Sequence, residues 1–510
     1  MKASLYGDSR TRSAQLRSRS STGHAQPEAT ALSARDLRKA LWPLLLVALT
    51  LVLTSWAISL AGLSETWGAW LWVFPLGLAV GCFGTAARLV RKEPSWIVSP
   101  LFWCLLAVGT YFGFGPLVYT FGNPGTVVRL DYAFVVDDYW LFQTNLVDQV
   151  GLLALVLGAL VGSRIGLPKG LVSRLDSLSR IDARQVFLVT AAIGVVAKYV
   201  VDLPSIFHIL SFTPPTSLST LGDLTLAAIL MSGYLSASRP SYRLPFVVLL
   251  FAEVSTNLLL NSKQAVLEAV IVAIVGLVLG TRRRAILVVA AIAVPLALTT
   301  LVPIVNESRQ LGIESPSSGY ADAVGARLDV MSEAVTRYLT GNLTGGAGSS
   351  QAWWSRLCYS PEEAFAMNEY DMGRPGSFVT DALWSFVPRF IWPEKPLINP
   401  GVAFSIDFDG NANNSVAAGT FGEGYWNGGW LGAVAFGLYI GLVLAILNSI
   451  SNGIVTRQAW PAMLFVVLGI RAGFRIDGWF AMEYVGGIVI YLALLSVVLA
   501  LFSRPAGRRL

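Results

Sequence analysis

The sequence predicts an all-α polytopic membrane protein. The chain is 54% apolar and only 13% charged, whereas a soluble domain carries about 25% charged residues. Apolar runs of roughly 20 residues recur along it, and each is long enough to cross a hydrocarbon core. Lysine and arginine are also abundant in alternate connections between those runs, as expected when successive connections lie on opposite sides of a membrane.

The first 39 residues predict a disordered cytoplasmic tail. They are rich in Ser, Ala and Arg, poor in acids, and lack a periodic apolar pattern. The apolar run that begins near Leu41 is too long for a removed signal peptide and lacks a small-residue cleavage site. We therefore expect it to be retained as the first span. The net charge of +6 is explained by this tail and the membrane connections, and we expect no nucleic-acid partner.

About twelve transmembrane spans follow the tail. Spans 1–9 occupy residues 40–304 and spans 10–12 occupy residues 418–502, with a short cytoplasmic tail at 503–510. The predicted spans are 40–62, 68–90, 97–121, 143–165, 184–201, 217–237, 243–260, 264–280, 284–304, 418–448, 456–474 and 481–502.

The positive-inside rule orients these spans with both termini in the cytoplasm. With that orientation, 25 of the 37 basic residues fall on the cytoplasmic side. The longest connection, residues 305–417 between spans 9 and 10, is then extracytoplasmic. It contains a helical pattern from Asp322 to Leu339, a Gly/Ser-rich stretch at 341–350, and aromatic segments typical of a membrane interface.

Metal and histidine chemistry have few residues to draw on. The two histidines, His24 and His208, are far apart and have no companion ligands. Among the three cysteines, Cys82 and Cys104 lie inside apolar runs and Cys358 is alone in a polar region, so no disulfide framework is indicated. We therefore expect no metal site and no cofactor.

Ionisable residues within or at the ends of the spans lie at a shared depth, near the predicted outer face. Charges at membrane depth are costly and normally face a cavity or one another, so the set indicates one polar cavity open to the outside. For any single residue the alternative is a side chain that snorkels to the interface. The set is Asp148, Lys198, Asp223, Glu253, Lys263, Glu268, Arg471, Arg475 and Asp477.

Arginines in the large outer connection oppose the usual charge bias. A guanidinium fork suits bidentate phosphate binding, and a lipid-linked diphosphate at the outer leaflet would be such a target. Arg309, Arg389 and Arg475 are the leading candidates. The alternative for each is an ion pair with an acid of the connection. Tryptophans and tyrosines there could stack on sugars, but interfacial anchoring explains them equally well.

Five segments resemble the bacterial O-antigen polymerase-like (Wzy-type) family, particularly oligosaccharide repeat unit polymerases. They run from about span 3 to span 11, occur in family-like order, and are accompanied by a long loop before the third-last span, as in that family. The segments are YFGFGPLVY (111–119), NSKQAVLEAV (261–270), VPRFIWPEKP (387–396), TFGEGYWNGGWLG (420–432) and FRIDGW (474–479).

The resemblance implies an inverting, GT-C-like membrane glycosyltransferase. Such a protein transfers a growing glycan from an undecaprenyl diphosphate carrier to another carrier-linked repeat unit, at the outer face of the bacterial inner membrane. Its partners would be the undecaprenyl-diphosphate-linked oligosaccharide, the lipid bilayer and a chain-length regulator. Neither a nucleotide sugar nor a metal is implied.

The chemistry that this family implies assigns roles to particular residues. Arg309 and Arg389 would stabilise the departing diphosphate, and Glu423 would serve in acid–base catalysis or orient the acceptor. The alternative for Glu423 is an ion pair, with its neighbouring glycines serving helix packing. The expected substrate-binding residues are Lys263, Arg356, Arg475, Asp477, Tyr425 and Asn427.

Two other functions stay open at this point. A related O-antigen ligase would attach the finished glycan to another acceptor, although such ligases are associated with a loop histidine and residues 305–417 contain none. A polar-solute transporter would use the ionisable residues as a translocation path. No internal repeat is visible, which argues against the transporter.

Overall fold

The computed structural model describes most of the chain. The described residues are 33–62, 70–207, 220–313, 320–343, 352–377, 382–384, 386–387, 392, 394, 399–412 and 414–502. The predicted tail before residue 33, both histidines, Arg389 and the predicted C-terminal tail at 503–510 lie outside these ranges. Within them the regular structure is helical, and no strand is formed.

The helices follow one another with short connections. In chain order they are α1 (Ala34–Leu60), α2 (Val73–Lys92), α3 (Pro100–Phe121), α4 (Pro124–Leu130), α5 (Asp138–Gly162), α6 (Lys169–Leu178), α7 (Ala183–Ile206), α8 (Leu224–Ser236), α9 (Arg243–Leu259), α10 (Lys263–Thr281), α11 (Arg284–Ile313), α12 (Tyr320–Thr340), α13 (Ser360–Asp371), α14 (Pro400–Asp409), α15 (Gly419–Arg457), α16 (Met463–Phe474) and α17 (Ala481–Ala500).

Ten helices in the described part of the chain are long and apolar enough to cross a membrane. The prediction of a helical multi-pass membrane protein is therefore confirmed. Two of the twelve predicted spans, 217–237 and 456–474, correspond to the shorter helices α8 and α16. Twelve crossings and the N-in, C-in orientation stay predictions.

The faces of the long helices carry the exposed apolar side chains expected beside lipid. Leu53 and Trp56 of α1, Phe251 of α9, and Val288 and Ile292 of α11 are each more than half exposed. A soluble protein rarely exposes an apolar surface of this extent. These faces agree with a bundle that is surrounded by acyl chains.

Helices α5 and α15 pack with their backbones in close contact at the centre of the bundle. A Cβ atom placed on Gly158 would lie 2.1 Å from the carbonyl oxygen of Leu438, and one on Gly441 would lie 1.9 Å from that of Leu155. Small residues allow this approach in membrane helices, where close packing replaces the hydrophobic effect as the main attraction.

Helix α15 is broken near its start. Gly428 and Gly429 depart from helical geometry, and Gly429 has φ +59° and ψ −146°, a conformation open almost only to glycine. The break lets the first turns, residues 419–427, lie against the longer part of the helix. A Cβ on Gly432 would come within 2.0 Å of the Gly424 carbonyl oxygen, so the glycines here serve a close backbone approach.

The connection between α11 and α15 is built partly from helices that pack on the bundle. The predicted helix from Asp322 to Leu339 is confirmed as α12. Helix α13 lies against the start of α15, where the Tyr370 and Tyr425 rings meet edge to face with centroids 5.5 Å apart. Phe365 of α13 likewise contacts Phe134, just before α5. The connection therefore contributes side chains to the bundle's interior.

Candidate functional site

One stretch of the connection brings three polar groups together. We call residues 353–363, WWSRLCYSPEE, the bridging segment. Three of its side chains, Arg356, Tyr359 and Glu363, each meet a different group of charged residues. The candidate site is built around this segment.

The bridging segment is fixed by packing against the irregular part of α3. Trp354 donates a hydrogen bond from Nε1 to the Phe114 carbonyl oxygen at 3.0 Å, and the Phe114 and Trp354 rings stack with centroids 5.1 Å apart. A Cβ on Gly115 would lie 2.1 Å from the Leu357 carbonyl oxygen. The backbone of α3 at Gly115 is therefore in direct contact with the backbone of the bridging segment. Pro361 lies in the first turn of α13.

Three cations form the first group. Lys263, at the start of α10, experiences the positive charges of Arg356 and Arg309, and Arg309 also experiences that of Arg356. Lys263 is half-buried, while Arg309 and Arg356 are exposed. We call Lys263, Arg309 and Arg356 the cationic cluster. The sequence predicted all three as site residues, and the structure brings them together.

The turn between α9 and α10 holds the cluster. Asn261 takes a left-handed conformation with φ +52°, and its carbonyl oxygen accepts hydrogen bonds from Nε and Nη2 of Arg309 at 3.2 and 2.6 Å. Its side-chain oxygen accepts a further bond from Ser308 at 2.8 Å. Arg327 donates to the Leu259 carbonyl oxygen nearby at 3.3 Å. Neutral backbone acceptors among the described residues therefore orient the guanidinium groups of Arg309 and Arg327.

The cationic cluster forms no ion pair among the described residues, unlike several other basic residues of the bundle and the outer connection. Across the described ranges, no carboxylate lies within ion-pairing distance of Lys263, Arg309 or Arg356. The following pairs exist instead: Arg337–Glu307 (3.2 Å), Arg374–Glu369, Arg471–Asp223 (3.0 Å), Arg475–Glu483 (2.7 Å) and Lys198–Glu253. Arg356 also interacts with the nearby carboxyl of Glu362. The three cations repel one another, and an anionic ligand would relieve that repulsion.

The second group surrounds the turn Arg475–Asp477, between α16 and α17. The hydroxyl of Tyr359 donates a hydrogen bond to Oδ2 of Asp477 at 3.1 Å, and Arg475 donates from Nη1 to Oε1 of Glu483 at 2.7 Å. Burial raises the pKa of Asp477 to about 6, against the opposing effects of Arg475 and Tyr359. Oδ1 of Asp477 is buried and has no hydrogen-bond partner within the part of the chain that the structure describes.

The first turns of α15 hold this turn in place. Thr420 donates from Oγ1 to the Ile476 carbonyl oxygen at 2.6 Å, and Oε2 of Glu423 accepts from the Phe480 backbone N–H at 2.7 Å. Glu423 is only 2% exposed. Its carboxylate satisfies a backbone donor at the entry to α17, which is the position of a helix cap.

Tyr425 and Asn427, which the sequence also predicted as site residues, form hydrogen bonds to α13 and to the backbone of their own half-helix. Tyr425 donates from its hydroxyl to Oδ1 of Asp371 at 3.1 Å. Asn427 donates from Nδ2 to the Glu423 carbonyl oxygen at 2.9 Å. These contacts connect the half-helix 419–427 to the outer connection and lie apart from the contacts of the cationic cluster.

A pair of carboxyl groups forms the third group. Asp148 of α5 and Glu363 of α13 are buried and face each other. Burial and the nearby charge of Asp148 raise the pKa of Glu363. Two neighbouring carboxylates cannot both ionise at low cost, so the pair favours a state in which one of them is protonated. Asn145 and Gln149 lie on the same face of α5 and bring further buried polar atoms to the pair.

The remaining predicted ionisable residues form ion pairs deeper in the bundle. Lys198 pairs with Glu253, which also accepts hydrogen bonds from Tyr199 and Thr225. Arg471 contacts Asp223 at 3.0 Å and Glu268 at 3.7 Å. These groups satisfy one another across α7, α8, α9, α10 and α16. The predicted shared polar region thus resolves into this network, the Asp148–Glu363 pair and the two groups near the bridging segment.

Several residues of the site had no recognisable signal in the sequence. Tyr359, Glu363 and Glu483 acquire their roles from partners that are distant in the chain, and Asn261 acts through its backbone. A polar YSPEE stretch that starts a helix within an otherwise aromatic connection was the one available hint for Tyr359 and Glu363.

Comparisons with known proteins identify no relative: no family model matches this chain, and neither a curated protein nor a solved structure is significantly similar to it.

Proposed function

We propose that this protein polymerises undecaprenyl-diphosphate-linked oligosaccharide repeat units into a surface polysaccharide at the outer face of the bacterial inner membrane. It would be a GT-C-like membrane glycosyltransferase with about twelve spans and both termini in the cytoplasm. The observation that carries this proposal is the cationic cluster, in which Lys263, Arg309 and Arg356 lie together without an ion pair among the described residues.

A diphosphate is the anion that the cluster fits best. Two arginine forks and one ammonium supply several donors for oxygens spread over two phosphoryl groups. The cluster also lies where α10, α11 and the bridging segment meet at one end of the bundle. A lipid-linked ligand could place its headgroup there while its isoprenoid chain stays in the bilayer.

The main contribution that this reaction requires from the protein is stabilisation of the negative charge that develops on the leaving group. The hydroxyl oxygen of the acceptor sugar bonds to the anomeric carbon of the donor, while the bond from that carbon to the diphosphate oxygen breaks. The electron pair leaves with the diphosphate, whose new negative charge the cationic cluster would stabilise. The hydroxyl proton passes to a base. No nucleotide takes part, because the carrier diphosphate is itself the leaving group.

The distribution of buried carboxylates supports catalysis at one face over transport. Glu253, Glu268 and Glu307 are buried and lie in the halves of α9, α10 and α11 that are nearer Lys263 and Arg309 along the chain, whereas buried Asp148 lies near the middle of α5. A translocation path would require such groups to continue to the opposite end. A catalytic site at the outer leaflet requires such carboxylates at one end of the bundle only.

Chain extension by purified protein tests this function. The substrate is lipid-linked oligosaccharide extracted from source cells in which this gene is deleted, added to protein in liposomes without any nucleotide sugar. We expect a ladder of carrier-linked products that differ by one repeat unit, resolved by gel electrophoresis and mass spectrometry. Products should form with released undecaprenyl diphosphate in equal amount for each bond made.

The products separate the alternatives. Single transfers to an acceptor without the diphosphate carrier would replace the polymerase with a ligase. Folded protein that makes no glycosidic bond would overturn both. The matched control is Arg374→Ala, which removes an exposed arginine that is paired with Glu369, and it should extend chains at the wild-type rate.

A further inference from the structure

We propose that Asp477 is the general base that deprotonates the acceptor hydroxyl, and that Tyr359 positions its carboxylate. This assignment rests on the proposed function and names the residue that completes its chemistry. The sequence predicted Asp477 only as a substrate-binding residue.

The two oxygens of Asp477 have different environments. Oδ2 accepts the hydrogen bond of the Tyr359 hydroxyl, whereas Oδ1 is buried without a hydrogen-bond partner among the described residues. Such a buried acceptor calls for an explanation, because almost all buried polar atoms in folded proteins are paired. A donor from a bound ligand would satisfy Oδ1, and an acceptor hydroxyl is such a donor. The residue as a whole is only half-buried, although Oδ1 itself is buried.

The turn around Asp477 is rigidly held. Thr420 binds the Ile476 carbonyl oxygen at 2.6 Å, and the Glu423 carboxylate binds the Phe480 N–H at 2.7 Å. The Tyr359 ring also packs edge to face on that of Tyr111, with centroids 5.5 Å apart. A base that must meet a hydroxyl at hydrogen-bond distance benefits from this fixed geometry.

Asp477 is connected to the cationic cluster through the bridging segment. Arg356 of the cluster and Tyr359, which holds Asp477, are three residues apart, so their Cα atoms are at most about 11 Å from each other. An inverting displacement places the base and the leaving group on opposite faces of the sugar ring. In the proposed arrangement the donor sugar lies along the bridging segment, with Arg356 on the diphosphate side and Tyr359 on the acceptor side.

The other carboxylates near the bridging segment are engaged elsewhere. Glu423 accepts from the Phe480 backbone, and Glu483 is paired with Arg475. Glu363, at the end of the segment, interacts with Asp148 of α5. Glu362 likewise has a buried oxygen without a hydrogen-bond partner among the described residues, but its carboxyl interacts with Arg356 of the cationic cluster. Asp477 combines a held oxygen with an unpartnered one at the Tyr359 end of the segment.

The proton balance of the step is simple. The acceptor O–H bond breaks as the oxygen bonds to the anomeric carbon, and the proton moves to Oδ1 of Asp477. The bonding electrons of the donor leave with the diphosphate. Asp477 then releases the proton to water, and no oxidant or further reactant is required.

The acidity of Asp477 predicts a pH profile. The titratable groups that face it are the cation Arg475, the carboxyl of Glu483, and the phenols of Tyr111, Tyr359 and Tyr484. Burial raises its pKa to about 6. Below that pH the protonated carboxyl cannot accept a proton, so the rate of extension should rise as pH increases through about 6.

The test compares Asp477→Asn with wild-type protein in the reconstituted extension assay from pH 5 to pH 8. We expect Asp477→Asn to lower the rate by about 100- to 10,000-fold, the usual contribution of a general base, while its binding of undecaprenyl diphosphate is unchanged. Tyr359→Phe removes a bond that favours the ionised carboxylate, so its midpoint should move to higher pH with partial activity. Glu333→Gln, which removes an exposed acid paired with Arg337, is the matched control.

The outcomes separate this inference from the proposed function. Wild-type protein that makes no polymer would refute the function itself. Wild-type extension with an undiminished rate in Asp477→Asn would refute the base assignment alone. Should Asp477→Asn fail to fold, Tyr359→Phe decides, because a wild-type pH midpoint in that variant contradicts the proposal.

Discussion

The carboxylate of Glu423 accepts a hydrogen bond from the backbone N–H of Phe480 at 2.7 Å, which ties the glycine-rich start of α15 to the entry of α17. This contact indicates a positioning role for the residue that the sequence singled out as a candidate acid–base group. The two roles predict different behaviour when the charge is removed and the shape is kept.

Glu423→Gln should therefore retain most chain extension, because an amide oxygen can still accept from Phe480. Glu423→Ala should lose most activity and about 1–3 kcal/mol of stability, the cost of leaving a buried donor unsatisfied. The measurements are extension rate and thermal unfolding in detergent. Loss of activity in Glu423→Gln with normal stability would instead support the acid–base role.

The cationic cluster should be sensitive to each of its members. We expect Arg309→Ala to lower extension by about 100- to 1,000-fold, the effect of removing one donor to a developing negative charge. Lys263→Met and Arg356→Ala should lower it in the same direction. The measurement is glycan length in cells, with membrane insertion checked by immunoblot. Wild-type chain length in all three variants would exclude the cluster from the site.

The sequence also predicts that Arg389 stabilises the departing diphosphate, although this residue lies outside the described residues. Arg389→Ala should abolish extension and leave insertion intact, since a guanidinium beside the diphosphate contributes through its charge. Arg389→Lys separates charge from fork geometry, because lysine keeps the charge without bidentate binding. Normal glycan length in Arg389→Ala would remove this residue from the proposed site.

The Asp148–Glu363 pair should make stability depend on pH. Because the pKa of Glu363 is raised in the folded protein, the folded state binds more protons than the unfolded state. Its contribution is therefore fully present below about pH 4.3, the ordinary value for glutamate, and declines as pH rises towards the folded pKa. Glu363→Gln should flatten this decline and raise the unfolding temperature at pH 8.

Thermal unfolding in detergent between pH 5 and pH 9 measures that effect. Glu333→Gln is the control, since Glu333 is about half exposed on α12 and should leave the profile unchanged. An equal pH dependence in Glu363→Gln and wild type would show that the pair does not favour a protonated state.

Two adjacent glycines should respond differently to alanine. Gly429→Ala should cost about 1–3 kcal/mol, because its φ of +59° with ψ of −146° is strained for any other residue. Gly428→Ala should be tolerated, since its φ is −162° and no atom lies within 4 Å of a Cβ there. Folded yield and unfolding temperature report the difference. Equal tolerance of both would mean that the break in α15 does not depend on Gly429.

The sequence predicts the membrane helices well because their signal is local. The apolar run at 143–165 overlaps most of α5. The periodicity of residues 322–339 predicts the start of α12 to within two residues. The length of α8 was overestimated, because an apolar run reveals composition but not where the helix stops. The break in α15 at Gly428 and Gly429 likewise cannot be predicted from the pattern of apolar residues.

The site is predicted only in part, for a physical reason. Lys263, Arg309 and Arg356 were predicted because basic residues on the outer side of a membrane oppose the positive-inside bias, and the structure brings the three together. Tyr359 and Glu363 were missed, since a buried hydrogen bond between residues 118 positions apart leaves no local pattern. Contacts that depend on tertiary packing emerge only once the bridging segment is placed against α3.

Binding of undecaprenyl diphosphate to the purified protein tests the central claim most directly. Native mass spectrometry of wild type, Arg309→Ala and the control Arg374→Ala, each with undecaprenyl diphosphate and with undecaprenyl monophosphate, compares affinity without requiring the correct sugar. The account predicts tighter binding of the diphosphate by wild type and Arg374→Ala, and loss of that preference in Arg309→Ala. Equal binding of both lipids by all three proteins would contradict it.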